Sequence, residues 1–232
     1  MTDFRSQHRH VLTNGVVVER LPLGFAAGRW WATFVYAAPD PNGGQPVDLR
    51  HIGRSVWVSD PDGLLEFASG AGGGGEREHE YVSELVDQGA SQARVSYLEG
   101  GEEVGSELLA LDPADRTGCF AVRLTDGSLV ERLPVGRAGG MWRLRYVRSG
   151  VPRAEQAAEM DDLDGVQMPD KRFVRIRSTG PVERTSAACT FGGAIQPFGV
   201  GVPDTLTHLE IDYLFEDEVV GTEVLPLPDR NV

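Results

Sequence analysis

The sequence predicts an all-β protein: a tandem duplication of an antiparallel β-sandwich, or small barrel, domain of about 115 residues, with copies at 1–114 and 115–232. Three observations predict it. The chain repeats itself, its apolar residues alternate with a period of two, and turn-forming pairs divide the alternation into short runs that leave little room for helix.

The repeat sets the frame. Residues 12–35, LTNGVVVERLPLGFAAGRWWATFV, match residues 124–147, LTDGSLVERLPVGRAGGMWRLRYV, without a gap at an offset of 112. Leu12/Leu124, Gly15/Gly127, Glu19/Glu131, Arg20/Arg132, Pro22/Pro134, Gly28/Gly140 and Trp30/Trp142 are identical. A second block, YLEGGEEVGSELLAL at 97–111, matches YLFEDEVVGTEVLPL at 213–227 at an offset of 116. Tyr97/Tyr213, Gly105/Gly221 and Glu107/Glu223 coincide there. Two collinear matches make chance similarity untenable. The joint, LDPADRTG at 111–118, has the Pro, Asp and Gly of a short linker.

Taken in order, copy 1 offers strands at HRHVL, VVVER, RWWATFVY, SVWVS, LLEFA, ARVSYL and GSELLAL. Copy 2 offers FAVRL, SLVER, MWRLRYVR, RFVRI, ACTF, THLEIDYLF and VVGTEVLPL. In RWWATFVY the face with Trp30, Ala32 and Phe34 is expected to be core. The face with Trp31 and Thr33, which copy 2 fills with Arg143 and Arg145, is expected to be solvated or interfacial. Asn14-Gly15, Asp126-Gly127, Asp62-Gly63 and Gly100-Gly101 supply turns, and such pairs favour the positive φ of a tight hairpin. Segments 76–87 and 153–160 are the plausible helices, and the first reads equally well as strand. Residues 37–52, 69–75 and 150–170 read as long loops, where binding residues tend to lie.

Composition narrows the function. With 22 basic against 35 acidic residues the net charge is −13, which argues against nucleic acid or an anionic membrane as partner. No apolar run approaches membrane-spanning length. The start, Met-Thr-Asp-Phe-Arg, lacks the apolar stretch of a signal peptide, so the cytoplasm is the expected location. Lys171 is the single lysine among the basic residues, a bias that reads as GC-rich bacterial coding. Cys119 and Cys189 are too few for a disulfide framework or a four-cysteine zinc site and read as reduced, buried thiols.

Motifs for chemistry are weak. His8 and His10 share one strand face, as metal ligands would, yet their counterparts Phe120 and Val122 are core types, and no third ligand stands at a supporting spacing. Asp161, Asp162 and Asp164 lack the flanking acids of a calcium loop. The glycines at 72–75 lack the Gly-Lys-Ser/Thr continuation of a phosphate loop, and no Gly-x-Ser-x-Gly elbow occurs. No catalytic residue, metal site or cofactor is expected.

Two features remain. Acidic hairpins recur at equivalent places, with Glu99, Glu102, Glu103 and Glu107 in copy 1 and Glu216, Asp217, Glu218 and Glu223 in copy 2. Trp31 stands where copy 2 has Arg143, and so is either buried against the second copy or an anchor for a partner. The acidity is weighted toward copy 1, which has only 8 of the 22 basic residues but 17 of the 35 acidic ones. The expected function is therefore non-enzymatic binding of a basic protein, as an immunity or inhibitor protein does, through Trp31, Glu99, Glu102 and Glu103. One alternative is a small-molecule site in a β-barrel or between the copies, as in a binding protein or an isomerase or cyclase of secondary metabolism, lined by Trp30, Trp57, Trp142, Tyr97 and Tyr213. A second is a structural part of a phage or secretion assembly.

Overall fold

The computed structural model describes residues 8–13, 15–37, 54–59, 66–69, 78–86, 90–116, 119–153, 173–177, 183–186 and 194–228. The chain divides into two compact units. One is built from the first half with Gly136–Gly139 added, the other from the rest of the second half. The sequence boundary at 114/115 does not foresee the grouping of that four-residue segment.

The N-terminal unit contains β1 (His8–Val11), β2 (Val17–Arg20), β3 (Gly24–Ala26), β4 (Arg29–Ala37), β5 (Arg54–Ser59), β6 (Glu66–Ser69), β7 (Glu78–Val86), β8 (Gln92–Glu99) and β9 (Glu102–Ala110). A single 3-10 turn, Pro113–Asp115, follows, capped by the Asp112 carboxylate, which accepts from the Ala114 N–H at 2.8 Å. Next come β10 (Phe120–Arg123), β11 (Leu129–Arg132), β12 (Gly136–Ala138), β13 (Met141–Ser149), β14 (Val174–Arg177), β15 (Glu183–Ser186), β16 (Ile195–Pro203), β17 (His208–Phe215) and β18 (Glu218–Pro226).

Among the described residues the strands form four antiparallel sheets, with two orders each used twice. The order β1-β2-β4-β3 with β7 beside β4 is repeated as β10-β11-β13-β12 with β16 beside β13. The order β6-β5-β8-β9 is repeated as β15-β14-β17-β18. The two sequence repeats therefore stand at equivalent places: 12–35 runs through β2, β3 and β4 as 124–147 runs through β11, β12 and β13, and 97–111 ends β8 and forms β9 as 213–227 does for β17 and β18. Both long hairpins also shift register at the same point, after Tyr97 and after Tyr213. A bulge there bends the strand and increases its twist.

Each pair of sheets encloses one core. In the N-terminal unit Val18, Trp30, Phe34 and Tyr36 of one sheet meet Val56, Val58, Val95 and Tyr97 of the other. In the C-terminal unit Val130, Trp142, Leu144 and Tyr146 meet Ile176, Leu209, Ile211 and Tyr213. Each unit is thus an antiparallel β-sandwich. Trp30 and Trp142 lie in the two cores, as the alternation predicts.

The opposite face of β4 and β13 corrects the sequence reading. Trp31, Thr33 and Val35 are buried, and so are Arg145 and Val147. A strand covered on both faces reads as a nearly continuous apolar run, which WWATFVY is. The arginines of the second copy disguised this. Burial pushes the Arg145 guanidinium down to about 10. Its place is made by Gly199, opposite it on β16, where a Cβ would sit 1.7 Å from Nη1.

Three further differences follow. Segment 78–86 is strand, not helix. β3, β12, β15 and β16 were not foreseen. β16 was missed because Pro197, Gly199 and Gly201 read as breakers, whereas its buried Gln196, Phe198, Val200 and Val202 alternate as a strand should. The ACTF strand, most of the 153–160 helix and most of the long loops lie outside the described residues.

The hairpin tips expose a strain that the sequence alignment hides. Between β8 and β9, Gly100 and Gly101 have φ of 61° and 89°, the left-handed pair of a type I′ turn. Between β17 and β18 the same conformation falls to Glu216 at 49° and Asp217 at 68°. A left-handed conformation costs an L-residue about 1–2 kcal/mol, less for Asp or Asn. Replacing Glu216 by Asn and Asp217 by Gly together is expected to stabilise the protein by about 1 kcal/mol, read as a higher urea midpoint with an unchanged slope.

Candidate functional site

The seam where the sheet edges meet is built identically in both units and then finished differently. In the C-terminal unit Arg132 of β11 and Glu223 of β18 form a two-pronged ion pair, with Nη2–Oε1 at 2.6 Å and Nε–Oε2 at 3.0 Å. The Tyr213 hydroxyl of β17 donates to Glu223 at 3.0 Å. Arg132 is fully buried. Burial alone works against its charge, but Glu223 outweighs that and raises the guanidinium pKa. Burial, reinforced by Tyr146 and Glu223, pushes the Tyr213 hydroxyl far up, so it stays a neutral donor. Phe120 of β10 stacks on Tyr213 with centroids 5.4 Å apart, sealing the seam.

In the N-terminal unit the same three groups are Arg20, Glu107 and Tyr97. Arg20 Nε donates to Glu107 at 3.1 Å and the Tyr97 hydroxyl donates to the same oxygen at 2.6 Å. Burial and Glu107 push the Tyr97 hydroxyl up as well. Here the plug is different. His8 stands in place of Phe120 and meets the carboxylate at 3.1 Å through Nε2, while His10 stacks on Tyr97 at 5.6 Å. His8 and His10 are themselves stacked, with centroids 6.4 Å apart. The backbone closes the seam beside them, the Thr13 N–H donating to the Val104 carbonyl at 3.0 Å.

This geometry answers the question raised by the histidine pair. His8 and His10 lie over the Arg–Glu–Tyr lock, where Glu107 already accepts from Arg20 and Tyr97 and lies 3.1 Å from His8 Nε2. The Arg20 charge beside that carboxylate disfavours a cation. Among the described residues no group of three or more His, Cys, Asp or Glu is arranged to hold a metal. His51, Cys189 and the Asp161–Asp164 turn lie outside the described residues.

The predicted partner residues separate. Trp31 is 2% exposed, and its indole N–H donates to the Ala26 carbonyl at 3.0 Å. It is not presented to a partner, because β4 is covered on both faces. Glu99 and Glu102 stand directly opposite each other at the end of the β8–β9 hairpin, with Glu103 next along β9. Glu102 and Glu103 are exposed and Glu99 is half-buried. Hydrogen bonds lower the Glu103 pKa, above all one from Ser96, with Arg94 and Ser106 contributing, and Arg94 Nη2 lies at 3.0 Å. Glu107 and Glu223, grouped with this acidic surface on sequence alone, instead turn inward to the locks.

The residues imagined to line a small-molecule pocket also separate. Trp30 and Tyr97 pack in the N-terminal core, Trp142 and Tyr213 in the C-terminal core. Trp57 is 38% exposed on β5. Two buried polar groups escaped the sequence reading. Arg148 is fully buried, held by Asp126 at 2.5 Å and Ser128 at 2.9 Å and lying 4.4 Å above the Phe173 ring. Asp212, with its side chain 3% exposed, is held by Arg175 at 2.7 Å and Arg177 at 2.8 Å. Burial raises the Asp212 pKa, but these arginines outweigh it and the net shift is downward. The only available signal was an acid and arginines alternating along segments whose neighbours are apolar.

The fold and site define an all-β protein of two antiparallel sandwiches. No family model matches the chain, and no curated protein matches it. A solved structure described as the conserved domain protein from Bacillus anthracis aligns over 88% of this chain and 76% of its own, at 12% identity and a TM-score of 0.29. That score is too low to carry an argument about function.

The locks and Asp212 generate two predictions. Removing one partner of a buried ion pair costs about 3–5 kcal/mol, so Glu223→Gln is expected to destabilise by that amount. Glu107→Gln should cost less, because the Arg20 side chain is 16% exposed and water relieves it; urea unfolding of the two variants checks the order. Asp212, with its pKa lowered on folding, contributes stability above its unfolded value of about 3.9 and loses it as pH falls through the folded value. Stability should therefore drop progressively below about pH 4, and less steeply in Asp212→Asn, as measured by urea midpoints across pH.

Proposed function

We propose that this chain is a non-enzymatic binding protein of the immunity or inhibitor kind, working in the bacterial cytoplasm, and that it takes a basic protein partner through the acidic β8–β9 hairpin. One observation carries the reading: Glu99 and Glu102 face each other across the hairpin end with Glu103 beside them. Like charges directly opposite are destabilising in a sheet, and the turn itself needs only Gly100-Gly101. The turn does not require these acids, and Glu102 and Glu103 are exposed at the hairpin end, which favours a role outside the fold. Glu103, its pKa lowered, stays ionised well into the acid range.

The C-terminal tip, with Glu216, Asp217 and Glu218, fits a basic partner less well. There Glu218 stands opposite Phe215 and not a second acid, and Glu216 and Asp217 form the turn itself in the left-handed conformation. The small-molecule reading loses support because its residues pack in separate cores. No observation favours the assembly reading.

The test uses a lysine-rich peptide as probe. Summed carboxylates steer a cationic partner over about one Debye length, ~10 Å at 0.1 M salt. Reversing Glu99, Glu102 and Glu103 to Lys is expected to slow association by about tenfold or more at low salt and to flatten its salt dependence. The same reversal at Glu216, Asp217 and Glu218 should change it much less. Unchanged binding by the first variant, or turnover of a small molecule by the purified protein, would overturn the proposal.

A further inference from the structure

The outer face of the sheet β6-β5-β8-β9 differs in kind from its counterpart in the C-terminal unit. There, Arg175 stands across from Asp212 and Arg177 across from Glu210, and Arg177 Nη1 also lies 3.7 Å from Glu210. Those rows are ion-paired, and Val224, across from Glu210, stands 69% exposed as the counterpart of Leu108. In the N-terminal unit the position matching Arg175 is Trp57, which stands across from Ser96, itself across from Ser106. The next row brings Ser59, Arg94 and Leu108 together.

Trp57 is the accessible tryptophan of the four, at 38% exposure, and Leu108 is 63% exposed. The hydroxyls beside Trp57 are short and lose little rotamer freedom on contact. Small polar residues around a rigid aromatic are a composition that recurs at binding surfaces, and tryptophan is prominent among their hot spots.

We propose that this face is the apolar centre of the contact whose acidic rim is the β8–β9 hairpin, and that its occupant is a protein surface with an apolar middle and basic edges. The inference rests on the proposed binding of a basic partner. Charge complementarity and continuity commit it to that occupant. Glu103 carries the rim onto the face, since its carboxylate accepts from Ser96 and Ser106, and Ser96 is the residue opposite Trp57. A cation drawn to Glu103 arrives beside the indole ring, where it gains a cation–π contact as well.

The experiment compares two synthetic peptides of equal lysine content, one with a Gly/Ser middle and one with a leucine-rich middle, against the full chain. The leucine peptide is expected to bind about tenfold tighter or more and to shield tryptophan fluorescence from acrylamide. Trp57→Ala and Leu108→Ser should each erase most of that advantage while leaving the salt-dependent binding of the Gly/Ser peptide in place. Circular dichroism and urea unfolding check that both exposed-site variants remain folded. Equal binding of the two peptides, with the indole still quenched, would overturn the docking face and leave the acidic-hairpin reading standing. Binding of neither peptide would overturn both.

Discussion

The carboxylate of Glu223, and its counterpart Glu107, is the point on which each sandwich depends. It sits on the edge strand of one sheet and accepts from an arginine of the other sheet and from a tyrosine of its own. A sandwich held by apolar contact alone has no preferred alignment of its sheet edges, because hydrophobic burial is non-directional. A two-pronged Arg–carboxylate pair is directional, and a tyrosine kept protonated by burial adds a second fixed donor. The lock therefore sets where β9 meets β2 and where β18 meets β11. Its net worth is small beside its cost when broken, since an uncompensated buried charge costs more than the intact pair contributes.

From that lock the difference between the units follows. The C-terminal seam is closed by Phe120 on Tyr213, with Arg132 wholly out of water. The N-terminal seam is closed by His8 and His10, with His8 half exposed and Arg20 still reached by solvent. Both finishes satisfy the same carboxylate. The histidines are a polar way of covering the position that phenylalanine covers in the other unit, and that is why they have the alternation of a core strand without its composition.

The sequence reading of the fold succeeded where a physical period survives. Alternation in RWWATFVY and MWRLRYVR placed Trp30 and Trp142 in cores, and the repeat placed equivalent segments in equivalent strands. It failed where tertiary context overrides composition. Gly199 and Gly201 depart from strand composition, yet Gly199 is required by the arginine lying against it. Arg145 read as a solvent marker, yet it is buried. Trp31 read as an anchor because its counterpart is charged, yet both positions belong to a strand covered on each face. The locks were half legible: Arg20/Arg132, Tyr97/Tyr213 and Glu107/Glu223 are all identities of the repeat, but nothing in their spacing shows that residues so far apart in sequence meet. Glu107 and Glu223 were grouped with surface acids because a carboxylate at an edge strand is usually solvated.

A shared frame makes the departures from it informative. Positions that hold the frame are the same in both units: the tryptophan of β4 and β13, the lock residues, the glycine of β9 and β18 that the first strand packs against. Positions that face water have no such constraint, and they diverge in a particular direction. The C-terminal sheet face pairs its arginines with Asp212 and Glu210 and exposes Val224 beside them. The N-terminal face keeps Trp57 and Leu108 uncovered and sets opposed glutamates at the adjoining hairpin end. Exposed tryptophan carries a solvation cost, and opposed like charges carry an electrostatic one. Both costs fall on the same unit, on contiguous residues, where the sister unit shows that the fold can be completed without either. The fold itself does not require the exposed indole or the opposed glutamates, and they are the features on which the proposed contact rests.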